Sequence, residues 1–363
     1  MLKNTDRKNE GSALDSLCRP NLYDVTDNIS ALQFEVMKIV PARHIIERAI
    51  EEGRITKSTT IVESSSGTFA VALGIVCAHY GFKLKLVTGP VSPIIQWRLK
   101  GLGADVDIIM PTGGEGGIQQ DRMNHLKTIL ESSDDIFWPQ QHSNPLNPLA
   151  YENLVSKYQE DLADIDYLIC STGTGGSITG ISRKLREFNP NLKVVGVDHN
   201  LSCLFGPTSG VSSRLCAENY HPMLGSGSDV VHPNLDHTVC DFVHWVPVNE
   251  MILAAHNLHN RSGIYIGPTG AATYRVAEHI VQNDSGAKAL CVFCDHGVRY
   301  ADTVYNPEWL ESYGSDVDVK ENSAPIKVSS SKDVAGDWAY MDWGRRSYKD
   351  VLGYDCIPRT ARL

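Results

Sequence analysis

The sequence has no long hydrophobic run. No segment approaches the ~18–20 apolar residues that span a bilayer. The opening MLKNTDRKNEGSALDS is polar and lacks the apolar stretch of a secretory leader. There is no basic block either. Lys and Arg number 33 against 43 Asp and Glu, a net charge of −10, which argues against nucleic-acid and anionic-membrane partners. Zinc-binding spacing is missing: the one CxxC, Cys291 to Cys294, has no second pair and sits in the apolar run ALCVFC. Nine scattered cysteines, an odd number, suit a reducing cytoplasm better than a disulfide framework, and no metal is expected. Repeats and low-complexity tracts are absent. What remains is an ordinary globular composition, 42% hydrophobic and 21% charged over 363 residues, enough for about two domains.

Strands and helices alternate along the chain. Residues 41–53 read as a helix with Pro41 in its first turn. Strands follow at 59–63, 84–89 and 106–110, with helices at 69–81 and 93–103 between them. The order resumes with a strand at 167–171, a helix from Ile178 and a strand at 192–198. Helices at 249–262 and 270–282 precede a last clear strand at 289–294. This pattern predicts an α/β protein with mostly parallel sheets flanked by helices. Residues 199–235 form an irregular stretch long enough to be functional. The chain from about Ser315 is polar but keeps Trp338, Tyr340, Trp343 and Tyr348, which pack either on the body or on a second subunit.

Four segments carry chemistry. Gly173, Thr174, Gly175, Gly176 and Ser177 lie between a strand and a helix, where close backbone approach and free N–H groups cradle a phosphate. No Lys-Ser/Thr follows at Walker spacing, and GxGxxG is only partly met, so neither an NTP loop nor a dinucleotide loop is well matched. Ser64, Ser65, Ser66, Gly67 and Thr68 also precede a helix and suit a carboxylate, although the run alone slightly favours an ordinary N-cap. Gln141 to Pro148, QHSNPLNP, is a rigid turn or a linker. Lys38 is a lone lysine in the apolar run VMKIV. Such surroundings lower a lysine's pKa and suit Schiff-base chemistry, but the segment alone favours a side chain that snorkels to solvent.

Taken in order, MKIVPARHII, IVESSSGTFAVALG, QQHSNPLNP, STGTGGSITG, GSGSDVVHPNLD, IGPTGAAT and CDHGVRYADTVY resemble one family. It is the cysteine synthase and cystathionine β-synthase branch of the fold type II pyridoxal-phosphate enzymes, and the likeness runs from about Lys38 to Tyr313. The resemblance implies two α/β domains with pyridoxal 5′-phosphate in the cleft between them. It implies a smaller substrate-loop domain at 58–149 and a larger cofactor-phosphate domain at 22–57 plus 150–314. A loose polar leader at 1–21 and a C-terminal extension at 315–363 flank them. Lys38 then carries the cofactor as a Schiff base, and Gly173 to Ser177 hold its phosphate. Ser65, Ser66, Gly67, Thr68 and Gln141 grip the substrate carboxylate. Thr269 faces the pyridine nitrogen, with Asp295 at the edge of the same pocket.

The chain departs from the family pattern at three places. The usual Ser-x-Lys signature is replaced by Val36-Met37-Lys38, the asparagine after the substrate-loop glycine by Thr68, and the pyridine-site serine by Pro268 or a deletion. These changes bring it closer to specialised relatives such as diaminopropionate-precursor synthases. The implied activity is β-replacement on an O-activated L-serine through an aminoacrylate, with a small-molecule amino acid and a nucleophile as substrates and a homodimer as the working form. A β-eliminating dehydratase or desulfhydrase and a non-catalytic binding protein are the alternatives.

Overall fold

The computed structural model describes residues 12–113, 117–132, 135–208, 225–228, 230–313 and 324–355. Among them the strands build two sheets. The chain opens with β1 (Asn21–Thr26) and β2 (Ile29–Gln33), an antiparallel pair. Next come β3 (Thr60–Ser64), β4 (Lys83–Thr88), β5 (Asp105–Ile108) and β6 (Ile136–Phe137). These four form a wholly parallel sheet in the order β5-β4-β3-β6. The remaining strands are β7 (Tyr167–Ser171), β8 (Lys193–Asp198), β9 (Phe242–Trp245), β10 (Ala289–Phe293), β11 (Ile326–Lys327) and β12 (Ala339–Asp342). With β1 and β2 they form the larger sheet, ordered β1-β2-β10-β7-β8-β9-β12-β11. Its centre from β2 to β9 is parallel. There the sequences YLICS and ALCVF are buried at every residue, as a parallel sheet covered on both faces requires.

The Asn-Pro run does not behave as a linker. Leu146–Val155 is a helix with Pro145 at its N-cap and Pro148 in its first turn, where the missing N–H removes no intrahelical bond. This helix lies flat against the helix Gly176–Phe188. A Cβ at Gly180 would sit 2.1 Å from the Pro148 carbonyl oxygen, and one at Gly176 would sit 2.1 Å from Asn147 Oδ1. Bare backbone at these two positions sets the approach.

Sequence reading also misses several smaller elements. The helix Gly117–Leu130 has no clear apolar stripe, and β6, β9, β11 and β12 are too short to show a period. Within the expected loose leader, residues 1–11 lie outside the described residues. Ala13–Leu17 is a helix with a Ser12–Asp15 capping box. Asp15 also meets Arg43 at 2.6 Å, and that bond holds its carboxyl down at about 2. The middle of the irregular stretch, 209–224, lies outside the described residues as well.

The C-terminal segment packs on its own body. β12 pairs antiparallel with β9, and Trp338 and Trp343 are buried. Trp338 Nε1 donates to His244 Nδ1 at 3.2 Å, and Arg275 stacks over its ring at 4.9 Å. Burial pushes His244 down to about 3, so the imidazole stays neutral and keeps a lone pair for that bond. Trp338→Ala removes a fully packed indole and leaves His244 without its donor. The expected loss is about 3–5 kcal/mol of unfolding free energy, read from urea denaturation.

Candidate active site

Lys38 is shaped by the far end of the sequence. After β2 the chain keeps following β10: Phe34 N–H donates to Phe293 O at 2.9 Å and Met37 N–H to Cys294 O at 2.8 Å. Val36 and Asp295 form an antiparallel bridge, and Tyr151 Oη donates to Met37 O at 3.3 Å. Lys38 then sits at the N-cap of the helix Ile39–Glu51, with its side chain half-buried. Loss of hydration, and next the Arg299 guanidinium, bring its ammonium down to about 8. The negative forms of Cys294, Asp295 and Glu63 act the other way.

A narrow, partly open hollow lies beside Lys38. Lys38, Thr68, Gly173, Thr174, Ser177, Thr269 and Asp295 line it, together with Gly225 and Cys294. It lies beyond the C-terminal ends of β7 and β10, the usual ligand position in such sheets. On one side is the N-terminus of the helix Gly176–Phe188, whose first N–H groups have no intrahelical acceptor. Gly175 turns into that helix at φ +86°, and a Cβ there would lie 2.3 Å from Leu235 Cα. No other residue type fits. Gly173 is less confined, its would-be Cβ in tight contact at 3.2 Å with Gly225 O.

On the other side is the serine-rich loop. Its hydroxyls are largely engaged within the protein. Ser64 Oγ accepts from Arg122 at 3.0 Å, and Ser66 Oγ accepts from Gly89 N–H at 2.9 Å. Ser65 Oγ accepts a long bond from Gly67 N–H at 3.5 Å. Thr68, the first residue of the helix Thr68–Tyr80, reaches the hollow and accepts from Arg299 Nη1. Gln141 is buried behind this loop and does not line the hollow. Its N–H donates to Glu63 Oε2 at 3.2 Å, and its carbonyl accepts from Asn147 at 2.7 Å and Asn234 at 3.0 Å.

Arg299 and Tyr300 are functional neighbours that sequence reading passed over. Arg299 Nη1 meets Asp295 Oδ2 at 2.6 Å, and Tyr300 Oη donates to the same oxygen at 2.9 Å. Arg299 thereby ties Thr68, on the smaller sheet's helix, to Asp295 at the end of β10. The signal was present in DHGVR, an acid and a base four residues apart across a tight turn. Cys294, which reads from sequence as core packing, and Gly225 line the hollow, and His142, which reads as structural, makes a tilted ring pair with His232, centroids 4.1 Å apart. Both imidazoles are held neutral by burial, His232 at about 3 and His142 well below its ordinary value.

A half-buried lysine with a lowered pKa lies opposite a glycine-lined helix N-terminus, a pairing that suits a covalently held, phosphate-bearing cofactor. Residues 33–295 match the family described as pyridoxal-phosphate dependent enzyme, and the chain belongs to it. Solved structures agree on the fold. A hydrogen sulfide-producing enzyme from Fusobacterium nucleatum is 26% identical, with a TM-score of 0.68 over 80% of this chain and 99% of that one. O-acetylserine sulfhydrylase isoform 3 from Entamoeba histolytica is 21% identical, with a TM-score of 0.71 over 89% and 96%. An O-acetylserine dependent cystathionine β-synthase from Helicobacter pylori is 23% identical, with a TM-score of 0.71 over 81% and 98%. The protein is thus a pyridoxal-phosphate dependent enzyme of the cysteine synthase-like fold type II. The hollow suits that cofactor. Thr269 Oγ1 and Asp295 Oδ1 are buried and have no hydrogen-bond partner among the described residues, so two polar atoms await a ligand. Among the described residues no helix is long and apolar enough to cross a membrane, and no cluster suits a metal ion.

The Lys38 pKa has a stability consequence. A base whose folded value is lowered, here from 10.5 to about 8, weakens the fold in full below pH 8, and this effect fades as pH rises to 10.5. In cofactor-free protein, Lys38→Met should therefore be the more stable chain at pH 7, on the order of 2 kcal/mol after allowing for partial exposure. That advantage should vanish near pH 10.5, as read from denaturation curves at both pH values.

Proposed function

We propose that this enzyme takes an O-activated L-serine, O-acetylserine or O-phosphoserine, expels the β-oxygen substituent and adds a nucleophile at Cβ. The observation that carries the reading is the lowered pKa of Lys38 in a hollow flanked by two helix N-termini. Pyridoxal phosphate, when bound, supplies the electron sink for a carbanion at Cα. Lys38 would hold it covalently, and its amine would move the Cα proton. At about 8, its pKa leaves a useful fraction of neutral amine near neutral pH. Thr174, Ser177 and the N–H groups of Gly175 to Ser177 hold the phosphate, and Gly173 lets the loop close on it. Thr269, with Asp295 beside it, would meet the ring nitrogen. Ser65, Ser66, Gly67 and Thr68 meet the substrate carboxylate at the second helix N-terminus, and Gln141 supports them from behind. Arg299 draws the two sides together through Thr68 and Asp295, which narrows the hollow and limits water.

Elimination without replacement is the second reading. It is favoured by the likeness to the Fusobacterium nucleatum protein, whose own description is hydrogen sulfide production. One experiment separates the two. The purified protein is loaded with pyridoxal phosphate and mixed with O-acetylserine, then O-phosphoserine, first alone and then with sulfide. Replacement predicts a change in the visible band with one substrate, little keto acid, and return of the band when sulfide arrives. Steady keto-acid release without a nucleophile assigns the enzyme to elimination. Lys38→Ala should lose the band and at least 10³-fold in rate, as removal of a covalent catalyst implies. A Lys38→Ala protein with normal turnover would sink the proposal.

A further inference from the structure

Glu63 lies one residue before the end of β3 and is 1% exposed. Three N–H groups from two parts of the chain converge on its carboxylate. Ser64 N–H at 2.8 Å and Trp138 Nε1 at 3.0 Å donate to Oε1, while Gln141 N–H at 3.2 Å donates to Oε2. Ser64 opens the serine-rich loop, and Gln141 follows Gln140, which is held at φ +57°. A charge this deep is tolerated only where such donors replace water.

We infer that Glu63 is a positioning residue for substrate-carboxylate recognition, holding the Ser65–Thr68 loop and Gln141 in register with each other. The inference rests on the proposed role of those two segments. Burial raises Glu63 to about 7, while its three N–H donors and Arg122, on the helix Gly117–Leu130, favour the ionised form. The Lys38 ammonium lies within electrostatic reach of the same carboxylate, and burial holds His142, next to Gln141, neutral. A proton on Oε2 would point at the Gln141 N–H, donor against donor, and that bond would be lost. The serine-rich loop keeps its Ser64 N–H bond to Oε1, so Gln141 is the part released. Acidification below pH 7 then weakens substrate binding, separately from the protonation of Lys38.

The test uses the full-length chain loaded with pyridoxal phosphate and whichever of O-acetylserine and O-phosphoserine turns over. KM and kcat are followed across neutral pH for wild type, Glu63→Gln, Gln141→Ala and the double variant. In wild type KM should rise about tenfold on the acid side, the scale of one lost hydrogen bond, while kcat follows the protonation of Lys38 alike in wild type and Glu63→Gln. Glu63→Gln should carry the raised KM at every pH, without an acid limb. Gln141→Ala should raise KM too, and adding Glu63→Gln to it should change nothing more. A readout independent of turnover is Trp138, whose indole bonds Glu63 directly. The part of the tryptophan emission lost in Trp138→Phe should titrate near pH 7 in wild type and stay flat in Glu63→Gln. A KM unmoved by Glu63→Gln but raised by Gln141→Ala overturns the inference and spares the carboxylate reading. A KM unmoved by Gln141→Ala removes Gln141 from carboxylate recognition and overturns the inference with it. Should Glu63→Gln fail to fold, a wild-type Trp138 signal that does not titrate is enough to overturn the inference.

Discussion

Asn147 presses against the first residue of the helix Gly176–Phe188, and the rest of the hollow depends on that contact. Its amide donates to Gln141 O at 2.7 Å and to Thr174 Oγ1 at 3.4 Å. Asn234 joins the same Gln141 carbonyl, and its own carbonyl accepts from Thr179 inside the glycine-led helix. The Asn-Pro run, the glycine loop and the segment at 234–235 are therefore one interlocked piece. The glycines at 173, 175 and 176 are needed for packing as much as for any ligand, because side chains there would strike Gly225, Leu235 and Asn147.

This interlock explains which parts were legible in the sequence. The long buried strands and the helices between them announce themselves by period and composition, and the two sheets follow. GTGGSITG and SNPLNP were each readable as segments, yet neither shows that it exists for the other. That relation is a contact between backbones, which leaves no periodic trace. The helix Leu146–Val155 was hidden because two prolines at its start look like a turn. Lys38 read alone as a solvated lysine. Its setting comes from Cys294, Asp295 and Arg299, more than 250 residues away in the chain, and no local pattern carries that information. Arg299 was overlooked for the same reason: its partner Thr68 belongs to the other sheet's helix.

Charge in the hollow is arranged rather than merely present. Lys38 and Arg299 repel each other, and Asp295 sits between their demands, bonded to Arg299 and Tyr300. Removing water from such a group strengthens every interaction left in it. The result is a lysine held short of full protonation in a pocket that still has hydroxyls and a carboxylate oxygen to offer. The paired neutral imidazoles of His142 and His232 fill the adjacent interior without adding a positive charge that would raise the repulsion further.

The parallel pairing of β2 with β10 has a consequence for how the protein comes into being. Lys38 emerges from the ribosome early, but the carbonyl of Cys294 and the backbone of Asp295 that shape its loop emerge only when four fifths of the chain has been made. Contacts so distant in sequence form slowly, after long loops have closed. A nascent or truncated chain therefore carries an ordinary lysine. The lowered amine pKa is a property that the chain acquires late, when its last central strand enters between β2 and β7.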